Sequence, residues 1–324
     1  MNLKSALLRF LQEHGDDYFS GAALARQLGV SRNAVWKAVE SLRCEGFDIA
    51  AVTNKGYRLI SSGDVLSQAG ITGFIKTQGV FDIKVQKKVT STNTIVCELA
   101  AQGAKEGYVL AAQEQTAGKG RQGRGFHSPA DHGVYFSLLL RPGTQTNAAS
   151  LITSAAAVAA ARAIEEVTGV RVGIKWVNDL FVNDKKVCGI LTEAVFDMES
   201  GLVSSAVVGI GINITRPDEG FPEELDGIAT SLTDRSVGID NQRCRLIAAT
   251  LDHFWIFYRN LAGREFLEEY KARSIILGKN INVISVDGVL PATAIAIDDD
   301  CGLTVRYENG QTAILNSGDV SIRL

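Results

Sequence analysis

The sequence predicts an α+β chain in three parts: an N-terminal winged helix-turn-helix, a central mixed α/β domain with a largely antiparallel sheet, and a small C-terminal SH3-like β-barrel. Three observations predict it. Residues 1–60 repeat apolar residues at helical spacing behind serine caps. The middle joins strand to strand by two- to four-residue turns. The last 50 residues are short strands punctuated by Asp-, Asn- and Gly-rich turns. At 324 residues the chain is long enough for several domains, and we place them at 1–62, 65–272 and 274–324.

In the first part, Leu3, Leu7, Leu8 and Leu11 share one helix face. Ser20 reads as the N-cap of a helix over 21–28, which Gly29 ends. Ser31 caps the next helix, with Val35, Ala38, Val39 and Leu42 on its apolar side. Two short alternating segments, 47–52 and 57–60, flank the turn Thr53-Asn54-Lys55-Gly56. Arg32, Asn33, Trp36, Lys37 and Arg43 occupy the polar side of the helix that Ser31 caps, and Ser31 at its start joins them as a candidate DNA contact. Such a helix sets its polar residues on base edges and phosphates, with Lys55 and Arg58 of the wing reaching a neighbouring phosphate. The 1–60 stretch holds 8 Lys/Arg and 6 Asp/Glu, whereas the whole chain carries a net −3. Contact with nucleic acid is therefore expected at this end, and a protein that coats nucleic acid by bulk charge is excluded.

Residues 61–64 read as a polar linker. Beyond it come a strand over 85–89, a strand over 134–140 and an alanine-rich helix over 147–168. Strands over 172–176, 180–183, 187–195 and 202–214 follow, the last pair joined by a turn at 199–201. Helices over 246–258 and 264–272 close the part. Strands over 281–286, 292–297, 303–307 and 312–315 make the β unit, with a turn at Asp287-Gly288. The uncharged stretch 142–161 opens with Pro-Gly and is too rich in Ser and Thr to span a bilayer. No apolar leader opens the chain, and five scattered cysteines suit a reducing compartment, so a soluble cytoplasmic protein without a membrane partner is expected. His127 and His132 lack a metal-binding pattern and read as structural or surface residues.

Five segments carry the chemistry. Gly118 to Gly125 holds four glycines with Lys119, Arg121 and Arg124. It satisfies a G-x-G-x-x-G pattern, but a strand rather than a helix follows, which excludes a dinucleotide fingerprint. Its glycines let backbone amides approach an anion, and its cations add charge. Lys175-Trp176-Val177-Asn178-Asp179 ends a strand in a turn, and Lys186 opens the next strand. Gly209 and Gly211 inside an apolar strand predict close approach by backbone or ligand. Ser91-Thr92-Asn93 is a cluster of small hydrogen-bonding residues that equally suits a helix cap.

Together, in this order and spacing, these segments make the chain resemble biotin protein ligase in its bifunctional bacterial form, which also represses the biotin operon. The resemblance spans essentially the whole chain. It implies condensation of biotin with ATP to biotinyl-5′-AMP, transfer of biotin to a lysine of the biotin carboxyl carrier protein of acetyl-CoA carboxylase, and operator binding as a homodimer with the adenylate as corepressor. By the same resemblance, Ser91, Thr92, Asn93, Gln115, Lys119, Gly120, Arg121 and Lys186 hold biotin. Arg121, Arg124, Lys175, Asn178, Asp179 and Asn213 face the nucleotide. Arg121, Lys186 and Asp179 carry catalysis, and Asp179 serves Mg²⁺. Lys119 stands where the family has arginine and Val177 where it has proline, so Lys119 gives up a bidentate contact. A sensor that binds biotin without catalysis has no use for the nucleotide-side residues, and a lipoate-type ligase is disfavoured by the DNA-binding head and C-terminal β unit.

Overall fold

The computed structural model describes residues 3–15, 17–61, 63–143, 148–197, 202–233, 241–285 and 288–322. Ser62 of the expected linker, the turn at 199–201, Asp287 and the first residue of the alanine-rich helix lie outside them. The head consists of α1 (Leu3–Glu13), α2 (Gly21–Gln27), α3 (Arg32–Cys44) and a hairpin of β1 (Asp48–Val52) and β2 (Gly56–Ser61). The serine caps form as the sequence predicts. Ala23 N donates to Ser20 Oγ and Ala34 N to Ser31 Oγ, each at 3.1 Å. Gly29, at φ +66°, supplies the left-handed residue that turns α2 into α3. Leu7, Leu8 and Leu11 of α1 meet Leu24, Val35, Val39 and Leu42 in one small core.

The body begins with α4 (Gln68–Phe74), then β3 (Asp82–Val89), α5 (Thr92–Ala101), β4 (Tyr108–Gln115), β5 (Gly133–Leu140) and α6 (Ala148–Thr168). Next come β6 (Gly173–Lys175), β7 (Asp179–Val182), β8 (Lys185–Phe196), β9 (Val203–Asn213), α7 (Gln242–Arg259) and α8 (Leu267–Ala272). The seven strands run β3-β4-β5-β9-β8-β7-β6. Only β3 and β4 pair in parallel, and α5 supplies the crossover that such a pair requires. Every other neighbour is antiparallel. The middle of α6, Ala155 to Ala161, has no exposed surface. Small side chains let the sheet and α7 close around this uncharged middle, and the helix's charged residues, Arg162, Glu165 and Glu166, are confined to its last two turns. Among the described residues, no helix is long and apolar enough to cross a membrane.

The third part is a five-stranded antiparallel sheet in the order β13-β12-β11-β10-β14, formed by β10 (Asn280–Ser285), β11 (Gly288–Ile297), β12 (Leu303–Tyr307), β13 (Thr312–Leu315) and β14 (Asp319–Ile322). It fits the expected SH3-like unit, although β13 and β14 do not pair to close it among the described residues. Trp176 Nε1 donates to Cys301 O at 2.8 Å and ties this sheet to the body.

The segment expected to be a linker is anchored instead. Arg243, in the first turn of α7 and 7% exposed, donates from its backbone N and Nε to the Asp64 carboxylate at 2.8 and 3.0 Å. Its Nη2 donates to the Asp64 carbonyl and its Nη1 to Asp131 at 2.8 Å. A buried guanidinium requires acceptors, and the polar stretch supplies them. Beyond it, α4 is divided between two cores: Ala69 packs with the head, Ile71 with the body.

Candidate active site

A cavity of about 440 Å³ opens at one end of the central sheet. It lies between the first turn of α5, the end of β4, the 118–126 loop, the 175–181 turn and the middles of β8 and β9. Its floor is uncharged and polar. Ser91 caps α5, and Thr92 and Asn93 are each 4% exposed. Thr92 donates to Gln115 Oε1 from its backbone N at 2.8 Å and from Oγ1 at 3.1 Å. Gln115 Nε2 donates to Ser128 Oγ at 2.9 Å, and Ser128 Oγ to Phe126 O at 2.9 Å. On the other side, Ser137 Oγ stands 2.6 Å from Asn93 Oδ1 and 2.8 Å from Thr92 Oγ1. Side-chain amides and hydroxyls in this arrangement fix one another's orientation, because every donor has an acceptor in register.

The walls explain the glycines of β8 and β9. A Cβ on Gly209 would lie 2.0 Å from Asn93 Oδ1, and one on Gly211 2.4 Å from the Phe126 ring. At Gly189 it would meet Lys186 and Phe126 at 3.1 Å. The close approach that these glycines predict is thus made by side chains of the pocket itself.

The mouth is cationic. Lys119, Arg121, Arg124, Lys175 and Lys186 line it, against Asp179 and Glu224. Lys186 Nζ pairs with Asp179 Oδ1 at 2.8 Å. Arg121 Nη1 donates to Asn178 Oδ1 at 3.2 Å, and Asn178 Nδ2 is fixed by Ile190 O at 2.8 Å. Lys175 lies over the Phe181 ring at 5.5 Å. The glycine-rich loop is zipped at its base: Gly120 N donates to Arg124 O at 2.7 Å and Phe126 N to Gly118 O at 2.8 Å. Its tip makes a single 3₁₀ turn over Arg121–Gly123, between strands as the sequence predicts. Such a mouth favours a ligand with several negative charges.

All the residues expected to hold biotin line this cavity, and so do the nucleotide-side residues except Asn213. The Asn213 amide instead donates to Thr230 O at 3.1 Å and holds the returning loop. Sequence reasoning missed Ser128, Ser137 and Glu193 around the floor, and Phe126 in the wall. Ser137 and Glu193 arrive on β5 and β8, strands distant in sequence, so no local motif marks them, whereas Phe126 and Ser128 follow the glycine-rich loop directly. Of the histidines, His132 contacts Thr215 Oγ1 at 3.0 Å, and no cluster of three His, Cys, Asp or Glu side chains capable of caging a metal exists among the described residues.

On the head, Arg32, Asn33, Lys37 and Lys55 are exposed, and Trp36 is 53% exposed, beyond what packing requires. The Ser31 hydroxyl is engaged as the cap. Arg43 departs from the expected polar face. Its guanidinium donates to Ile49 O at 2.9 and 2.6 Å and to Glu40 at 2.8 Å, which binds α3 to β1. Arg58 lies 4.8 Å over the Tyr18 ring.

The chain is 36% identical over 324 residues to the bifunctional ligase/repressor BirA of Bacillus subtilis (strain 168), covering 99% of this chain and 98% of that one. It belongs to the family of bifunctional biotin protein ligases and repressors. The model of the biotin/lipoate A/B protein ligase family matches residues 85–213, that of an HTH domain residues 4–58, and that of the biotin protein ligase C-terminal domain residues 276–323. The biotin--[acetyl-CoA-carboxylase] ligase of Mycobacterium tuberculosis is 32% identical over 74% of this chain and 88% of its own length. Among solved structures, the biotin protein ligase of Aquifex aeolicus in complex with biotin and ATP superposes with a TM-score of 0.62 at 27% identity, covering 75% of this chain and 98% of that one. In this biotin protein ligase, the family's ligase segment contains all of the cavity lining except Glu224, Leu225 and Ile228, and the matched HTH segment contains α3.

Proposed function

We propose that the chain condenses biotin with ATP to biotinyl-5′-AMP and transfers biotin to a lysine of the biotin carboxyl carrier protein of acetyl-CoA carboxylase. With the adenylate retained, it binds operator DNA as a homodimer and represses biotin genes. One observation carries the reading: five cations surround the mouth of a pocket whose floor is uncharged and polar. The floor suits the ureido ring of biotin. The mouth suits a carboxylate meeting a polyphosphate, two anions that repel each other unless cations intervene.

In this reading Ser91, Thr92, Asn93, Gln115 and Gly120 hold biotin, while Lys119, Arg121 and Lys186 offset the carboxylate and α-phosphate charges. Arg124, Lys175 and Asn178 face the remaining phosphates and the nucleoside. Mg²⁺ is hard and commonly takes one or two carboxylates, with phosphates and water completing its shell. The Asp179 carboxylate, paired with Lys186 in the cation-lined mouth, fits that mode. Asp179 would hold the ion, which would shield phosphate charge. No enzyme nucleophile is required, because the carrier lysine attacks an already activated anhydride. The division of labour follows 1–62 for DNA, 65–272 for chemistry and 274–324 for the C-terminal unit.

Pyrophosphate exchange tests the ligase: exchange is expected with biotin and ATP and not with lipoate and ATP. Absence of biotin-dependent exchange would overturn the reading. For the repressor, mobility shifts of a duplex from upstream of the organism's own biotin synthesis genes are expected to tighten with biotin plus ATP. They should weaken steeply with salt as counterions are released.

A further inference from the structure

Glu193 lies on β8 beside the floor of the cavity, and no motif points to it. Its Oε2 accepts from Asn93 Nδ2 at 2.9 Å. Asn93 Nδ2 also donates to Leu191 O at 3.3 Å. Both partners accept and neither donates, so this end of the Asn93 side chain has to be its NH₂ group. The carbonyl oxygen is therefore turned the other way, toward Ser137 at 2.6 Å and over Gly209, where there is no side chain to crowd it. An amide oxygen accepts two hydrogen bonds, and Ser137 fills one.

We propose that Glu193 is a positioning residue that sets the polarity of the pocket floor. By accepting from Asn93, it makes the floor present a fixed acceptor, and so selects a substrate that offers an N–H at that point, such as the ureido group of biotin. The inference rests on the biotin-ligase reading above. A glutamine at 193 has both a donor and an acceptor end. Asn93 then keeps only the longer hydrogen bond to Leu191 O as an obligate acceptor, and the floor's acceptor is held less firmly. The other carboxylate oxygen of Glu193 lies 3.7 Å from Lys119 Nζ, so the loop over the cavity leans on the same group.

Exchange kinetics of the full-length chain test this with three variants. Glu193→Gln is expected to raise KM for biotin about tenfold, the net worth of one hydrogen bond, with KM for ATP unmoved and kcat within about twofold. Asn93→Asp alone sets two carboxylates against each other and is expected to be more impaired. The pair Asn93→Asp with Glu193→Gln reverses donor and acceptor: the new amide donates to the new carboxylate, whose second oxygen still faces the pocket. It is expected to recover part of the biotin KM, since the new carboxylate also faces the Leu191 carbonyl. General damage to the fold would shift kcat and both KM values together, and adding a buried charge would not repair it. A wild-type biotin KM in Glu193→Gln, or a double variant no better than either single one, overturns the proposal. Absence of exchange in the unmodified chain would instead overturn the ligase reading.

Discussion

Lys186 and Arg121 share the mouth of the pocket but do different work there. Lys186 is paired with Asp179 at 2.8 Å, and the Asp179 oxygen that faces it is sealed from solvent. Removing the lysine withdraws a cation from two approaching anions and also strands a partly buried carboxylate. Lys186→Ala is expected to slow adenylate formation by about 10²–10³-fold and to lower the melting temperature. Adding Asp179→Asn should restore much of the melting temperature without the rate, and exchange assays beside thermal melts separate the two. Arg121 sits on the loop, held by Asn178 at 3.2 Å. Charge-assisted hydrogen bonds of this kind are worth about 1.5–3 kcal/mol, so Arg121→Gly is expected to release biotinyl-AMP about ten- to a hundredfold faster in a trapping assay. At this scale the sequence shows where cations and small polar residues cluster, because those clusters are contiguous. It does not show Ser137 or Glu193, which reach the floor through β5 and β8, nor that the Asn213 amide is occupied by Thr230 O.

Elements long enough to show a period are legible: α1, α3, α6 and the strands β6 to β9 emerge from spacing and turn residues. β4 and the body of α5 escape, and so do two short elements, for different reasons. β14, Asp-Val-Ser-Ile, alternates polar and apolar over only four residues, too few to stand out; it pairs along the free edge of β10. α4 reads Gln-Ala-Gly-Ile-Thr-Gly-Phe, a poor helix by propensity. Its Gly70 is there for clearance, since a Cβ would lie 2.7 Å from Cys244 Sγ of α7. The same logic governs β9. Gly211→Ala is expected to push the Phe126 ring from the wall, at a cost of about 1–3 kcal/mol in stability, and to weaken biotin binding; calorimetric titration and denaturant melts would register both. α8 is clamped to α6 by charge. Arg273 donates to Glu165 at 2.8 and 2.7 Å and to Glu269 at 2.8 Å. The Arg273 hydrogen bonds hold the Glu165 carboxyl below its ordinary value of 4.5. A depressed carboxylate contributes stability that is complete above the unfolded value and is lost as pH falls through the folded one. Wild type should therefore lose melting temperature more steeply below about pH 4.5 than Glu165→Gln, with the variant less stable at pH 7.

For the whole molecule, the question is how separately head and body stand. Composition suggests independent units joined by a polar strip, because neither the local positive balance of 1–60 nor its own apolar faces reveal a long-range partner. The structure joins them through Arg243, Asp64 and α4. A chain starting at Asp64 is expected to keep biotin-dependent exchange and lose DNA binding. Its melting temperature should fall by about 5 °C or more, since Val65 and Ala69 lose the head residues they pack against. Exchange, mobility shift and thermal melts on the shortened chain check all three, and DNA binding by it would refute the assignment of the head.

The division of α4 between two cores also bears on how such proteins can be recombined. A foreign DNA-reading head spliced in at residue 62 would meet Val65 and Ala69 with a surface shaped for something else. Splicing at residue 74 instead would set a foreign helix against Cys244, where the space admits only a glycine. The boundary between the two modules runs along the length of one seven-residue helix. A working chimera therefore has to match both sides of that helix at once, a condition that exchange between close relatives meets and a simple cut at a linker does not.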